Sequence, residues 1–413
     1  MRRRSRRILA GLLLAALPSS LSADPGPPSA IPVEIERIGD RVLIARCPVG
    51  ANVAAIVTDS GVVVVDTHVS PASMRAIRAK IEEATGQRRF PYVINTHGHW
   101  DHCSGNQVFP DATILGQAGA PAFMRHHRAN PFGTMWSEEG ALAEDRERLA
   151  ETRDPERAAD LRARIATREQ VNTSLRDEYV PTPPNATFAD RHDLRLGGVA
   201  LELLRSGPAH TVTDIFVYLP GERIVLTGDV LCSPTSFCFK VGPLSDLPTL
   251  LRTIDRVLEG GADTVIPGHG RTMSGADLQG LRDRLAAGIA AQSGRASAAR
   301  TLQRAIEEKG LEAALRPLAG VPPDTASAGY LSEEEFHILG NRFVEKADLD
   351  AAVGVFELAG GYFPKSSLIF TGLGRARLLR GDSLQAVSAF QRAYDLAPNN
   401  RQAAAMLRWL RRR

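Results

Sequence analysis

The chain has 413 residues, enough for two or three domains and a sizeable core. Its composition, 43% hydrophobic and 23% charged, excludes a disordered tail, and four cysteines exclude a disulfide-built scaffold. The 50 Lys and Arg against 47 Asp and Glu leave a net charge of +3, too small for a protein that grips nucleic acid by charge alone. The basic excess sits at the start. Five arginines fall within the first seven residues, followed by an apolar run over 8–17 broken by Gly11, then Pro18 and small residues to Ala23. This is the order of a secretory signal, with cleavage near Ser22 or Ala23, and it predicts a periplasmic or secreted protein. The apolar run is too short for a bilayer, which takes about 20 residues, and no later stretch is long and apolar enough to be a span. Ser5-Arg6-Arg7-Ile8-Leu9 also fits a twin-arginine signal, so the Sec and twin-arginine routes stay equally open. Without residues 1–23 the 50 basic side chains become 45 against 47 acidic ones, and the mature chain is slightly acidic.

Residues 24–32 read as a Pro- and Ser-rich linker. The first folded domain, which later proves to carry the metal-ligand motifs, is predicted over 33–290. From about Val33 the pattern becomes strand-like; short β-prone runs occupy 41–45 and 53–58, the valine run of 61–66 reads as a buried strand, 74–83 as a helix and 92–95 as another buried strand. This alternation predicts an α/β sandwich. Residues from about 120 to 180 are dense in Glu, Arg and Ala and read as a helical insertion closed by Pro181-Thr182-Pro183-Pro184. Strands resume at 194–196, 200–204, 215–219 and 223–227, followed by a helix at 247–259 and a strand at 264–266. Residues 291–332 read as a helical and linker segment.

After it comes an internal repeat. Residues 333–366 and 367–400 align without gaps at a period of 34, matching Phe336 with Phe370, Leu339 with Leu373, Gly340 with Gly374, Ala352 with Ala386, Phe356 with Phe390, Ala359 with Ala393 and Pro364 with Pro398. Phe343 departs, standing opposite Arg377. The pattern resembles the tetratricopeptide repeat, a helical hairpin of about 34 residues in which glycine lets the helices approach and Ala and Phe fill between them. Residues 401–410 read as a capping helix. Two repeats are fewer than the roughly three such arrays need, so they lean on the first domain or on a second subunit. A homodimer or a protein partner through 333–413 is the corresponding expectation. A scaffold or adaptor role is the reading from another functional class.

The chemistry concentrates in Asn95-Thr96-His97-Gly98-His99-Trp100-Asp101-His102, directly after a predicted strand. Three imidazoles and a carboxylate within six residues have few structural explanations, and these donors suit zinc. Ligands at alternate positions can point to two sides of the loop, so one segment can serve two metals. His210, Asp229 and His269 each stand at a strand end, and a carboxylate such as Asp229 can bridge two metals with its two oxygens.

His97-x-His99-x-Asp101-His102, His210, Asp229 and His269, preceded by Asp66 at the end of an earlier strand, resemble the five motifs of the metallo-β-lactamase-fold superfamily of metallo-hydrolases, in order across about residues 33–275. The resemblance implies an αβ/βα sandwich with the metal site at one edge between the sheets. It implies two zinc ions, with iron or manganese as alternative native metals. One ion belongs on His97, His99 and His210, the other on Asp101, His102 and His269, with Asp229 bridging and Asp66 orienting the ligand loops. It further implies that hydroxide held between the metals attacks the substrate, while Asp101 orients it and passes its proton to the leaving group.

The other histidines, His68, His126, His127, His192 and His337, read as surface or packing residues. The main β-lactamase groups of the superfamily lack a bridging aspartate, so Asp229 favours an ester, lactone or thioester as the small-molecule substrate. Export favours β-lactam hydrolysis, which is the alternative. Nucleic acid is not an expected partner. At the start of the insertion lie Phe123, Met124, Phe132, Met135 and Trp136. Phe123, Phe132 and Trp136 are candidates for a substrate wall or lid, with ordinary packing an equal reading. Cys232 and Cys238 are six apart; two free thiols are favoured over a disulfide, and Cys103 reads as a small packing residue.

Overall fold

The computed structural model describes residues 31–129, 131–231, 245–292, 297–318 and 332–411. The signal at 1–23, most of the linker after it, and Cys232 and Cys238 lie outside the described residues, as do the side chains of His126, His127, Phe132, Met135 and Trp136.

Two mixed sheets carry the catalytic part. The first runs β1 (Glu34–Ile38), β2 (Val42–Arg46), β3 (Val53–Thr58), β4 (Gly61–Val65), β5 (Tyr92–Ile94), β6 (Thr113–Gln117), β7 (Ala186–Phe188), each beside the next. Its first four strands are antiparallel and its last four parallel. The second consists of β8 (Arg191–Leu196), β9 (Val199–Arg205), β10 (Ile215–Leu219), β11 (Ile224–Gly228), β12 (Thr264–Pro267) and β13 (Met273–Ser274), in the order 13-12-11-10-9-8. Its β11 and β12 are parallel.

The period-two alternation of strands explains the layers. In β2 and β4, Val42, Ile44, Val63 and Val65 face the second sheet, where they meet Leu201, Leu203, Val217 and Leu226. Leu43, Ala45, Val62 and Val64 face outward and pack under Met74, Ile77 and Ile81 of α1 (Pro71–Thr85). The four valines of β4 are therefore buried on both faces, as an unbroken apolar run requires. Helix α1 starts three residues earlier than expected because Ser70 accepts a hydrogen bond from the Ser73 N–H and Pro71 opens the first turn. The short α2 (Trp100–Cys103) lies within the histidine-rich loop. The insertion folds as α3 (Ala120–Ala129), α4 (Pro131–Glu151) and α5 (Pro155–Asp177). Arg168 of α5 ties α4 through buried ion pairs to Glu138 and, at 2.9 Å, to Asp145. On the far side, α6 (Leu247–Glu259) and α7 (Gly275–Gln292) cover the second sheet with Leu250, Ile254, Leu278 and Leu281. The result is the expected αβ/βα sandwich.

Three strands escape the sequence reading. β6, β7 and β13 span five, three and two residues and lack the valine run that marks β4. β6 and β7 are fixed by parallel pairing across a long insertion.

The C-terminal region is helical: α8 (Ala298–Lys309), α9 (Leu311–Leu315), α10 (Glu333–Glu345), α11 (Leu349–Tyr362), α12 (Ser367–Arg380), α13 (Ser383–Leu396) and α14 (Arg401–Leu410). A Cβ on Gly340 would stand 2.5 Å from the Phe356 ring, and one on Gly374 2.8 Å from that of Phe390. The same close helix approach thus recurs 34 residues on. Arg377, opposite Phe343 in the repeat, pairs with Glu357 at 2.8 Å. The core of this arm begins before residue 333. Leu302 and Ile306 of α8 and Ala314 of α9 pack with Phe336, Leu339 and Phe356. Residues 298–315, read from sequence as part of a helical and linker segment, therefore belong to the arm's core. The arm also leans on the catalytic part, with α10 against α3. No helix of the described residues is long and apolar enough to cross a membrane.

Candidate metal centre

Every candidate ligand lies on a loop at one edge of the sandwich. Asp66 follows β4, the histidine-rich loop follows β5, Asp229 follows β11 and His269 follows β12. These are the carboxyl ends of two parallel strand pairs, where loops gather side chains without disturbing the ladder. His210 comes from the turn between β9 and β10.

The structure brings these side chains together in two groups, His97, His99, His210 and Asp229 in one and Asp101, His102 and His269 in the other. In the first, His99 Nδ1 stands 3.1 Å from His97 Nε2 and 3.0 Å from His210 Nε2. In the second, His269 Nε2 is 3.1 Å from Asp101 Oδ2. Asp229 faces both. Its Oδ1 is 3.2 Å from His102 Nε2, while its Oδ2 is 3.6 Å from His210 Nε2 and 3.5 Å from His269 Nε2. His97, His102 and Asp229 are buried, whereas His99, Asp101, His210 and His269 are half-buried and form the open edge of the site.

Charge follows this geometry. Burial and the neighbouring imidazoles hold His97 well below the ordinary histidine range, and burial with His210 lowers His99 to about 3. Both are therefore neutral, with lone pairs available to a cation. Burial opposes the charged form of His102, but Asp229, Asp101 and Asp66 overcome it and raise its pKa. Burial likewise works against the ionised Asp101 and Asp229, and His102 and His269 outweigh it and lower both. The imidazole nitrogens of His97, His99 and His210, converging beside the buried carboxylate of Asp229, are a donor set for a metal ion. His102 Nε2 is buried and faces Asp229 Oδ1 at 3.2 Å, inside the cluster and away from solvent. The residues fit such a group.

Asp66 explains how His102 is aimed. His102 Nδ1 donates to Asp66 Oδ2 at 2.7 Å, and the Thr96 N–H and hydroxyl donate to the two Asp66 oxygens at 2.8 Å. The hydrogen bond fixes the ring so that Nε2 faces the site. Asp66 (φ 61°) and His68 (φ 61°) both hold the left-handed backbone that turns the chain sharply after β4. His68 is a packing residue, fully buried, its Nδ1 2.7 Å from Ser73 Oγ. His192 stacks on Phe188, and His337 lies beside Asn341 in the arm. Cys103 is buried and donates to the His99 carbonyl at 2.8 Å.

Phe123 differs from the wall or lid expectation. It is 0% exposed, packed beside Cys103 and Met124, with its ring 5.7 Å from that of His99. It supports the ligand loop from behind and presents no surface to a substrate. From sequence, an apolar side chain near a metal loop fits either side of it.

Sequence reasoning also missed the residues that hold the loops. Asp214 is buried, and its Oδ2 accepts from the N–H groups of Ala209 and Thr211 at 3.1 and 2.8 Å, closing the turn around His210. The Gly98 N–H donates to Thr213 Oγ1 at 3.1 Å, tying that turn to the histidine-rich loop. Asn106 donates to Asn95 Oδ1 and to the Thr182 carbonyl, both at 2.8 Å. Asn52 Nδ2 donates to the carbonyls of Pro267 and Gly270 at 2.9 Å on either side of His269. Short Asn, Asp and Thr side chains bonding backbone after a strand are the one available signal.

An αβ/βα sandwich with clustered imidazoles and carboxylates at the strand ends defines a metal-dependent hydrolase fold. The family model of the Metallo-beta-lactamase superfamily matches residues 48–269, more than half of the chain, and the chain belongs to that superfamily. Among curated proteins it is 24% identical over 218 residues to the 2,4-dinitroanisole O-demethylase subunit alpha of Nocardioides sp. (strain JS1661), covering 52% of this chain and 51% of that protein. It is 22% identical over 222 residues to the linear primary-alkylsulfatase of Pseudomonas sp. (strain ATCC 19151), covering 52% of this chain and 40% of that protein. The matches thus span about half the length of these relatives or less. Among solved structures, a metallo-beta-lactamase from Pontibacter korlensis is similar at a TM-score of 0.41 and 19% identity, covering 62% of this chain and 99% of that one.

Proposed function

We propose that the chain is an exported hydrolase that uses two zinc ions to cleave an ester, lactone or thioester bond in a small molecule. The observation that carries this reading is the position of Asp229, whose two oxygens face the two ligand groups. His97, His99 and His210 would hold one ion and Asp101, His102 and His269 the other, with Asp229 between them. When bound, the ions supply a lowered pKa for water and a Lewis acid for developing oxyanion charge.

The chain's own residues do the rest. Asp66 keeps His102 oriented through Nδ1. The half-buried edge of His99, Asp101, His210 and His269 is where a substrate enters, because His97, His102 and Asp229 are closed off beneath it. Asp101, with a side chain 19% exposed on that edge, is placed to take the proton of the attacking water and return it to the leaving oxygen. The name of the alkylsulfatase relative is in keeping with ester chemistry and adds sulfate esters to the candidates.

A substrate panel tests the reading. Purified, metal-loaded protein should show a higher kcat/KM on at least one of aryl esters, thioesters, lactones or alkyl sulfates than on a chromogenic β-lactam. A β-lactam rate far above all of these overturns the order and makes the chain a β-lactamase. The helical arm, with its tetratricopeptide-like repeat, serves in this reading as a structural part of the enzyme. An adaptor would keep hydrolysis and lose a partner when the arm is removed.

A further inference from the structure

The arm touches the catalytic part at a place with chemical consequences. Arg342 and Glu345 lie in the last turn of α10. The Glu345 carboxylate takes the backbone N–H of Val212, two residues after His210. Arg342, itself buried, is attracted first to Glu345 and then to Asp214. Asp214 in turn binds the amides of Ala209 and Thr211, which flank His210, and its Oδ1 accepts the Thr211 hydroxyl at 2.6 Å. The Val212 side chain packs with Cys103, Phe123 and Met124 behind the histidine-rich loop. The His210 turn is thus held on one side by that loop, through Thr213 and Gly98, and on the other by the arm.

Within the arm, burial raises the Glu345 carboxyl to about 7 although Arg342 and Arg375 attract it. Its Oε2 is buried with no hydrogen-bond partner, and so is the Nε of Arg375, the arm arginine attracted to it. A buried carboxylate is costly unless its bonds are made, and the bond it makes to the catalytic part goes to the backbone beside a ligand. The other group, Asp101, His102 and His269, is held by residues of the catalytic part. That group is set by Asp66 and by Asn52.

We propose that Glu345 and Arg342 are positioning residues of the metal centre, with which the arm fixes the His210 turn and sets the metal affinity of the His97, His99 and His210 group separately from the other. The inference rests on the ligand assignment proposed above.

The test uses the full-length chain. Zinc binding is titrated against a competing chelator in wild type, Glu345→Ala, Glu345→Gln and Arg342→Gln, with circular dichroism to confirm folding. Glu345→Ala should weaken one of the two ions by about 10- to 100-fold, the range for partners that orient a ligand, and leave the other unchanged. Glu345→Gln keeps an acceptor oxygen for the Val212 N–H and should recover most of that loss. If Glu345→Ala does not fold, Arg342→Gln carries the same expectation of a selective effect. Two ions bound as in wild type, or both weakened equally, overturn the inference while the ligand assignment stands. A wild-type chain that binds no metal removes the ligand assignment and this inference with it.

Discussion

Replacing Asp229 by alanine is expected to lower kcat/KM by about 10³-fold or more, roughly 4 kcal/mol of transition-state stabilisation, and to deplete metal from both ligand groups. Asp229 is the residue whose oxygens face histidines of both groups, at 3.2 Å from His102, 3.5 Å from His269 and 3.6 Å from His210. It is also one of three carboxylates around His102, all of which favour that histidine's charged form. Its removal takes away the side chain proposed to serve both ions and part of the negative charge that draws cations into a buried site. Replacing His97 should instead weaken one group more than the other. Metal content per chain, measured beside kcat/KM, separates the two cases. Asp229→Ala protein with normal rate and metal content would remove Asp229 from the centre.

Gly268→Ala is expected to be nearly as damaging by a different route. An added Cβ would stand 2.1 Å from Asp229 Oδ1, 2.9 Å from the Gly228 carbonyl carbon and 2.9 Å from His102 Cε1. All three neighbours are buried, and none is the free end of a flexible side chain. The methyl group must displace Asp229, His102 or the backbone beneath them. The expected cost is about 1–3 kcal/mol of folding stability, as for overpacked sites, together with loss of metal. The melting temperature of the metal-free protein distinguishes the variants. It should fall for Gly268→Ala, whose clash is present without metal, and an unchanged value would show that the loop yields freely.

The cluster of candidate ligands was legible in the sequence because its strongest signal is local. His97, His99, Asp101 and His102 lie within six residues of the chain, and the valines before Asp66 mark a strand buried on both faces. Strand ends could be located, so His210, Asp229 and His269 could be assigned to one edge of the fold. The supporting residues were not legible. Asp214, Thr213, Asn106 and Asn52 act by satisfying backbone groups on other loops, and no spacing in the chain announces that. Phe123 shows the same limit for apolar side chains, since wall and support have one composition and differ in which way the ring points. In the arm, period 34 exposed the repeat because Gly340 and Gly374 meet aromatic rings in the same way. The contact of Glu345 with Val212 joins residues distant in sequence and required the fold.

The central claim, that hydrolysis depends on two metal ions held by these seven side chains, is tested most directly by removing and restoring the metal. Protein stripped with a chelator should lose hydrolysis on its best panel substrate, bind two zinc ions per chain on titration and regain activity as they bind. Full activity in metal-free protein would contradict it.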